Sequence, residues 1–235
     1  MNIIFFGDSL TKGRSGLSYV PLLQQQLPQH NIINQGKNGD TIASLYYRIK
    51  NMQLPDAIDI AFIWIGVNDI LTCIKWPFSF IPKLLVFQPW AKSDEEFTHY
   101  YQKIIDLLHP HTKKIITVSP LYIGEDIHNQ WNTRLQELSE LIKILSESSP
   151  NIRYLDLRTR FQTERPSLPP ISPYIPSSTA LLLDEIIYHT PEKITRKGKQ
   201  RGLYYTVDGV HLNKRGIQLA AQVFHEQITQ LTPRS

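Results

Sequence analysis

A short apolar run, Ile3 to Phe6, ends in the string Gly7-Asp8-Ser9-Leu10. A serine where a strand gives way to a turn and a helix presents its hydroxyl at the carboxyl edge of a parallel sheet, the edge at which open α/β folds bind ligands. Taken alone, Ser9 also fits an ordinary helix-initiating serine. To act as a nucleophile its hydroxyl needs a base, most often a histidine that an acid holds in one tautomer. Asp208-Gly209-Val210-His211 offers both, directly before a segment of helical period. Asp106-Leu107-Leu108-His109 has the same spacing. It falls in the last turn of an expected helix that feeds a strand, and so belongs at the amino edge, away from Ser9.

Two more loops leave strands at the carboxyl edge. Asn34-Gln35-Gly36-Lys37-Asn38-Gly39-Asp40-Thr41 opens a helix and offers unpaired backbone N–H groups there. It fits a plain turn capped by Asp40 or Thr41 as well, and neither glycine-rich phosphate-loop pattern is present. Gly66-Val67-Asn68-Asp69 follows the third apolar run. The Asn68 amide at such a strand end can donate to an oxyanion, a contribution of roughly 2.7 to 4 kcal/mol in serine hydrolases.

These loops presuppose an α/β frame, and short apolar runs alternating with helical periods predict one. Strands are expected at Ile3 to Phe6, Asn31 to Asn34, Ile58 to Ile65, Lys114 to Ser119 and Ile152 to Leu157. Their runs of Ile, Val and Phe suit a parallel sheet buried on both faces. Helices are expected near Leu17 to Leu27, Thr41 to Met52, Asp94 to Leu108, Ile127 to Ser146 and Lys214 to Leu231. Trp131, Leu135, Leu138, Ile142 and Leu145 form one apolar stripe and Ile217, Ala220, Phe224, Ile228 and Leu231 another, both facing the core.

Two segments interrupt the alternation. Thr72 to Lys92 carries Trp76, Phe78, Phe80, Phe87 and Trp90 between three prolines, too many for one helix. Thr159 to Thr206 opens on a proline-dense stretch and holds a short helical pattern at Thr179 to His189. Trp76, Phe78 and Phe80 are candidates for an apolar wall or lid at a binding site; a local mini-core or a dimer contact suits them equally.

The four loops, in this order and at these positions, resemble the SGNH superfamily of GDSL-type esterases and lipases, with matches from residue 7 to residue 211. The resemblance implies a flavodoxin-like three-layer α/β/α sandwich over a five-stranded parallel sheet. It also implies Ser9 as nucleophile, His211 as base and Asp208 as the acid that orients it. The oxyanion hole would comprise the backbone N–H groups of Ser9 and Gly39 and the side chain of Asn68. Gly39, followed by Asp40-Thr41, matches the family glycine better than Gly36, its possible substitute. The implied reaction is hydrolysis of a carboxylic ester, thioester or lysophospholipid through an acyl-enzyme, with no metal and no cofactor. Acyl transfer to an alcohol and carbohydrate O-deacetylation would use the same residues. A silent binding module would have no need of Ser9, Asn68 and His211 together.

Composition narrows the setting. The 235 residues, 41% hydrophobic and 20% charged, suit one folded domain, 1–235, with insertions at about 72–92 and 159–206. Lys and Arg number 25 against 21 Asp and Glu, a net charge of +4 that is too mild for a nucleic-acid binder. The cluster Arg196, Lys197, Lys199, Arg201 reads as a solvated loop, against a site for an acidic partner. Cys73, the sole cysteine, excludes an intrachain disulfide and a thiolate zinc site. The amino terminus lacks the basic and long apolar regions of a secretory signal, and no apolar run reaches the length of a membrane span. A cytoplasmic enzyme acting on a small-molecule ester is the expectation, with transient contact to a lipid surface allowed and the oligomeric state open.

Overall fold

The computed structural model describes residues 1–13, 17–73, 88–165, 172, 174–176 and 190–232. Five strands, β1 (Asn2–Gly7), β2 (Asn31–Gly36), β3 (Ile58–Trp64), β4 (Thr112–Val118) and β5 (Ile152–Leu155), form one sheet in the order β2-β1-β3-β4-β5. Every pairing is parallel, and Phe5 sits between Asn34 on one side and Phe62 on the other. The order reverses at β1, since β2 lies to one side of it and β3 to the other. Loops leaving the carboxyl ends of β1 and β3 diverge at such a point and open a crevice.

Helices cover both faces, because strands this apolar must be shielded on each side. On one face α3 (Ile42–Lys50) packs against α5 (Asp94–Leu108), and α5 against α6 (Gln130–Ser146). On the other, the last helix, α9 (Lys214–Leu231), packs against α2 (Val20–Gln26) and α7 (Leu157–Thr163). The remaining α-helices among the described residues are α1 (Ser9–Lys12), α4 (Val67–Cys73) and α8 (Pro191–Gln200). The expected three-layer α/β/α sandwich on a five-stranded parallel sheet is the observed fold. No helix among the described residues is long and apolar enough to cross a membrane.

An aromatic knot ties α9 to the sheet. Phe5 and Phe62, neighbours on β1 and β3, stack with ring centroids 4.4 Å apart. Phe224 of α9 meets both rings edge-on, at 5.1 and 5.3 Å, and meets Trp64 at 5.8 Å. All four residues are buried. Truncating a buried phenylalanine costs about 3–5 kcal/mol, so Phe224 is a main anchor of the helix that follows His211.

Candidate active site

β1 ends in Gly7, and only glycine fits there: a Cβ would lie 2.5 Å from the Trp64 carbonyl oxygen and 2.4 Å from Thr11 Oγ1. Asp8 then caps α1, its Oδ1 accepting from the Leu10 N–H at 2.8 Å. The cap turns the chain so that Ser9 begins the helix at the carboxyl edge, 8% exposed. Burial raises the Asp8 carboxyl to about 7, against the opposing Leu10 N–H and His211.

From the far end of the chain, Asp208 to His211 forms a tight turn. The Val207 N–H donates to the His211 carbonyl at 2.8 Å, and Gly209 takes φ +87°, a left-handed conformation that favours glycine. The wholly buried Asp208 divides its carboxylate between two tasks. Oδ1 accepts from the N–H groups of Val210, at 3.0 Å, and His211, at 2.8 Å. Oδ2 lies 2.7 Å from His211 Nδ1. Nε2 of the same ring lies 2.8 Å from Ser9 Oγ. With the ring proton on Nδ1, facing the carboxylate, Nε2 accepts from the serine hydroxyl, so the three side chains form one chain of hydrogen bonds.

The loop after β2 and the loop after β3 are bonded to each other. Thr41 caps α3 in a reciprocal box: its N–H donates to Ser44 Oγ at 2.8 Å, and the Ser44 N–H to Thr41 Oγ1 at 3.2 Å. Asn68 Nδ2 donates to the Asp40 carbonyl at 2.9 Å. That bond fixes the amide plane and leaves the second N–H of the group for another acceptor. Gly39 is exposed with φ +76°, and neither its N–H nor that of Ser9 donates to a described residue. The Gly36 N–H, by contrast, donates to Asn34 Oδ1 at 2.9 Å. Gly36 is therefore no substitute donor: its role is close packing, since a Cβ there would lie 2.2 Å from the Lys12 nitrogen.

Ser9, Gly39, Asn68, Asp208 and His211 thus all lie on loops or helix starts at one edge of the sheet, around the β1/β3 crevice. His109 begins a 3₁₀ turn, His109–His111, that leads into β4 at Thr112, at the opposite edge. Trp76, Phe78, Phe80 and the helix expected at 179–189 lie outside the described residues.

Three supports escaped the sequence reading. Asp69 accepts the Ile42 N–H on both oxygens, at 3.0 and 3.2 Å, tying α4 to the start of α3. Burial raises its carboxyl to about 7, while the N–H groups of Ile42 and Ala91 pull the other way. Arg48 pairs with the buried Asp40 at 2.8 Å and donates to the Gln35 carbonyl at 2.8 Å. Asn213 caps α9 through Oδ1, while its Nδ2 donates to the Tyr204 carbonyl at 2.7 Å. Only Asn213 carried a local signal, a cap residue before a helical period; Asp69 and Arg48 find partners 27 and 8 or 13 residues away.

The model of the GDSL-like lipase/acylhydrolase family matches residues 5–219. No curated protein matches the chain. Among solved structures, an acetylxylan esterase from Geobacillus stearothermophilus, in a catalytic mutant, is 19% identical with a TM-score of 0.66, over 100% of this chain and 97% of that one. The acetyl xylan esterase AlAXEase is 24% identical with a TM-score of 0.66, over 97% of this chain and 100% of its own. A member of the lipolytic protein G-D-S-L family from Veillonella parvula is 20% identical with a TM-score of 0.65, over 98% and 99% of the two chains. These structural likenesses establish the fold. The family match runs from β1 into α9 and takes in every loop of the site, so the chain belongs to the GDSL-like lipase/acylhydrolase family and is an ester hydrolase.

Proposed function

We propose that the chain cleaves carboxylic esters through an acyl-enzyme on Ser9. The observation that carries this reading is the continuous hydrogen-bond chain from Ser9 Oγ through His211 to Asp208. As Ser9 Oγ bonds to the ester carbonyl carbon, its proton passes to His211 Nε2 and the carbonyl electron pair moves onto oxygen. Asp208 stabilises the imidazolium that forms. The N–H groups of Ser9 and Gly39 and the free N–H of Asn68 stabilise the oxyanion, donors set in place before charge develops. Collapse breaks the bond to the alcohol, which leaves with the proton from His211. Water then repeats the sequence on the acyl-serine, giving its proton to His211 and releasing the acid.

For the substrate, a short acyl group on a carbohydrate hydroxyl is the favoured class. Two of the structures to which this chain is similar over almost their whole length are described as acetylxylan esterases. The test is hydrolysis of acetylated xylo-oligosaccharides beside p-nitrophenyl esters of increasing acyl length, with added alcohol to trap acyl transfer. Turnover that Ser9→Ala abolishes, with an organophosphonate bound to Ser9 of the wild type, is expected. Unchanged turnover in Ser9→Ala would overturn the mechanism, and preference for long acyl chains would overturn the substrate class.

A further inference from the structure

Glu125, 3% exposed, lies on the loop between β4 and α6 and takes no part in the proton path above. Its Oε1 accepts from the Tyr205 N–H, the Thr206 N–H and the Thr206 hydroxyl, each at 2.8 Å. Its Oε2 accepts from the Tyr204 N–H at 2.7 Å. Three consecutive residues are thus fastened to one buried carboxylate just before Asp208. Arg165 stands on the other side, donating to the Glu125 carbonyl at 3.1 Å with Nη2 3.8 Å from Oε2.

The preceding residue grips the turn itself. The Gly124 N–H donates to the Gly209 carbonyl at 2.7 Å, between Asp208 and His211. Gly124 takes φ +71°, and a Cβ there would lie 2.7 Å from the Tyr174 carbonyl oxygen, so the approach needs glycine. Residues 124 and 125 therefore hold both the segment that enters the turn and the turn's midpoint.

We propose that Glu125 is a positioning residue for His211: its carboxylate sets where the Asp208–His211 turn stands over the sheet edge, and so whether Nε2 meets Ser9 Oγ. This rests on the hydrolase reading above. Hydrogen bonds to an ionised acceptor are short and about twice as strong as neutral ones, which suits a group that must fix three backbone positions. A carboxylate has lone pairs for all four donors. An amide has one oxygen, and its NH₂ would face the Tyr204 N–H donor to donor. Displacement of a reacting group by about 1 Å can cost about 10²-fold in rate.

The test compares Glu125→Gln, which keeps the volume, with Thr206→Val, which removes one bond to Oε1 and leaves the charge. Phosphonate titration of Ser9 counts competent sites, so kcat on p-nitrophenyl acetate is taken per titrated site. The expected result is a kcat about 10-fold lower in Glu125→Gln and about 2-fold lower in Thr206→Val. KM stays within about twofold of wild type, and Ser9 labelling slows in proportion while still reaching its end-point. Wild-type kcat per site in both variants, or a loss carried by KM, would overturn the inference. If Glu125→Gln does not fold, Thr206→Val decides alone. A wild type without Ser9-dependent turnover would overturn the hydrolase reading itself, an outcome distinct from active wild type with unaffected variants.

Discussion

Ser9 Oγ and His211 Nε2 stand 2.8 Å apart although 202 residues separate them in the chain. Neither side chain alone is a reagent; a hydroxyl becomes nucleophilic only where a base can take its proton. On the proposed mechanism, His211→Ala is expected to lower kcat on a p-nitrophenyl ester by about 10⁶-fold, the scale found when a serine protease loses its histidine base. Steady-state rates on the purified variant, with circular dichroism to verify the fold, check this. A loss below about tenfold would remove His211 from the mechanism.

Asn68 offers a narrower test. One N–H of its amide is already committed to the Asp40 carbonyl, which holds the other in a fixed direction. Asn68→Ala should lower kcat by about 10²- to 10³-fold with little change in KM, because an oxyanion donor acts chiefly on the transition state. A KM effect with kcat intact would instead make Asn68 a substrate contact.

Gly36, which ends β2, and Gly39, in the loop after it, should respond to different degrees. A methyl on Gly36 meets the backbone of Lys12 and Thr11, which cannot give way, so Gly36→Ala should destabilise the fold by about 3 kcal/mol. At Gly39 the nearest atom to a Cβ is 3.8 Å away, and only the φ of +76° opposes a side chain, a cost of about 1–2 kcal/mol. Urea denaturation of both variants measures the difference, and equal losses would contradict it.

Arg48 and Asp40 form a pair whose carboxylate is wholly buried. Removing one partner from such a pair leaves a charge without compensation, so Arg48→Met should cost about 3 kcal/mol, much of it recovered in the double variant with Asp40→Asn. Because the Asp40 carbonyl also holds Asn68, kcat should fall as well. Additive losses in the double variant would show that the pair is not coupled.

Asp8 and Asp69 predict a pH dependence of stability. Burial lifts each carboxyl from 3.8 to about 7 in the folded chain, so between those values the folded state holds more protons than the unfolded one. The resulting stability is full below the unfolded value and is lost as pH rises through about 7. Measured against a double variant, Asp8→Asn with Asp69→Asn, the wild-type Tm should fall from about pH 5 to about pH 8. Thermal melts at several pH values check the sign, and a rising difference would refute it.

Where local signals were strong, the sequence was easy to read. α5 and α9 run over the residues that periodicity predicts, because Ser93 and Asn213 cap them and their apolar stripes face the sheet. β5 ends at Leu155, two residues short of the expected end, because Asp156 caps α7 by accepting the Thr159 N–H. α1 and α4, of 4 and 7 residues, are too short to display a period. Arg196, Lys197 and Lys199, expected in a loop, lie in α8, which Thr190 caps and which is too polar to show an apolar stripe. Ser9, Gly39, Asn68, Asp208 and His211 were legible because each sits in a short string at a strand end or before a helix. Glu125 was not: its partners lie 79 to 81 residues onward, and nothing beside it in the chain marks it out.

The knot of Phe5, Phe62, Trp64 and Phe224 gives the final helix a double duty. The stretch from His211 to Leu231 both brings the imidazole to 2.8 Å from Ser9 Oγ and, through Phe224, seats α9 on β1 and β3, so a loosened ring contact would also be felt at the sheet edge.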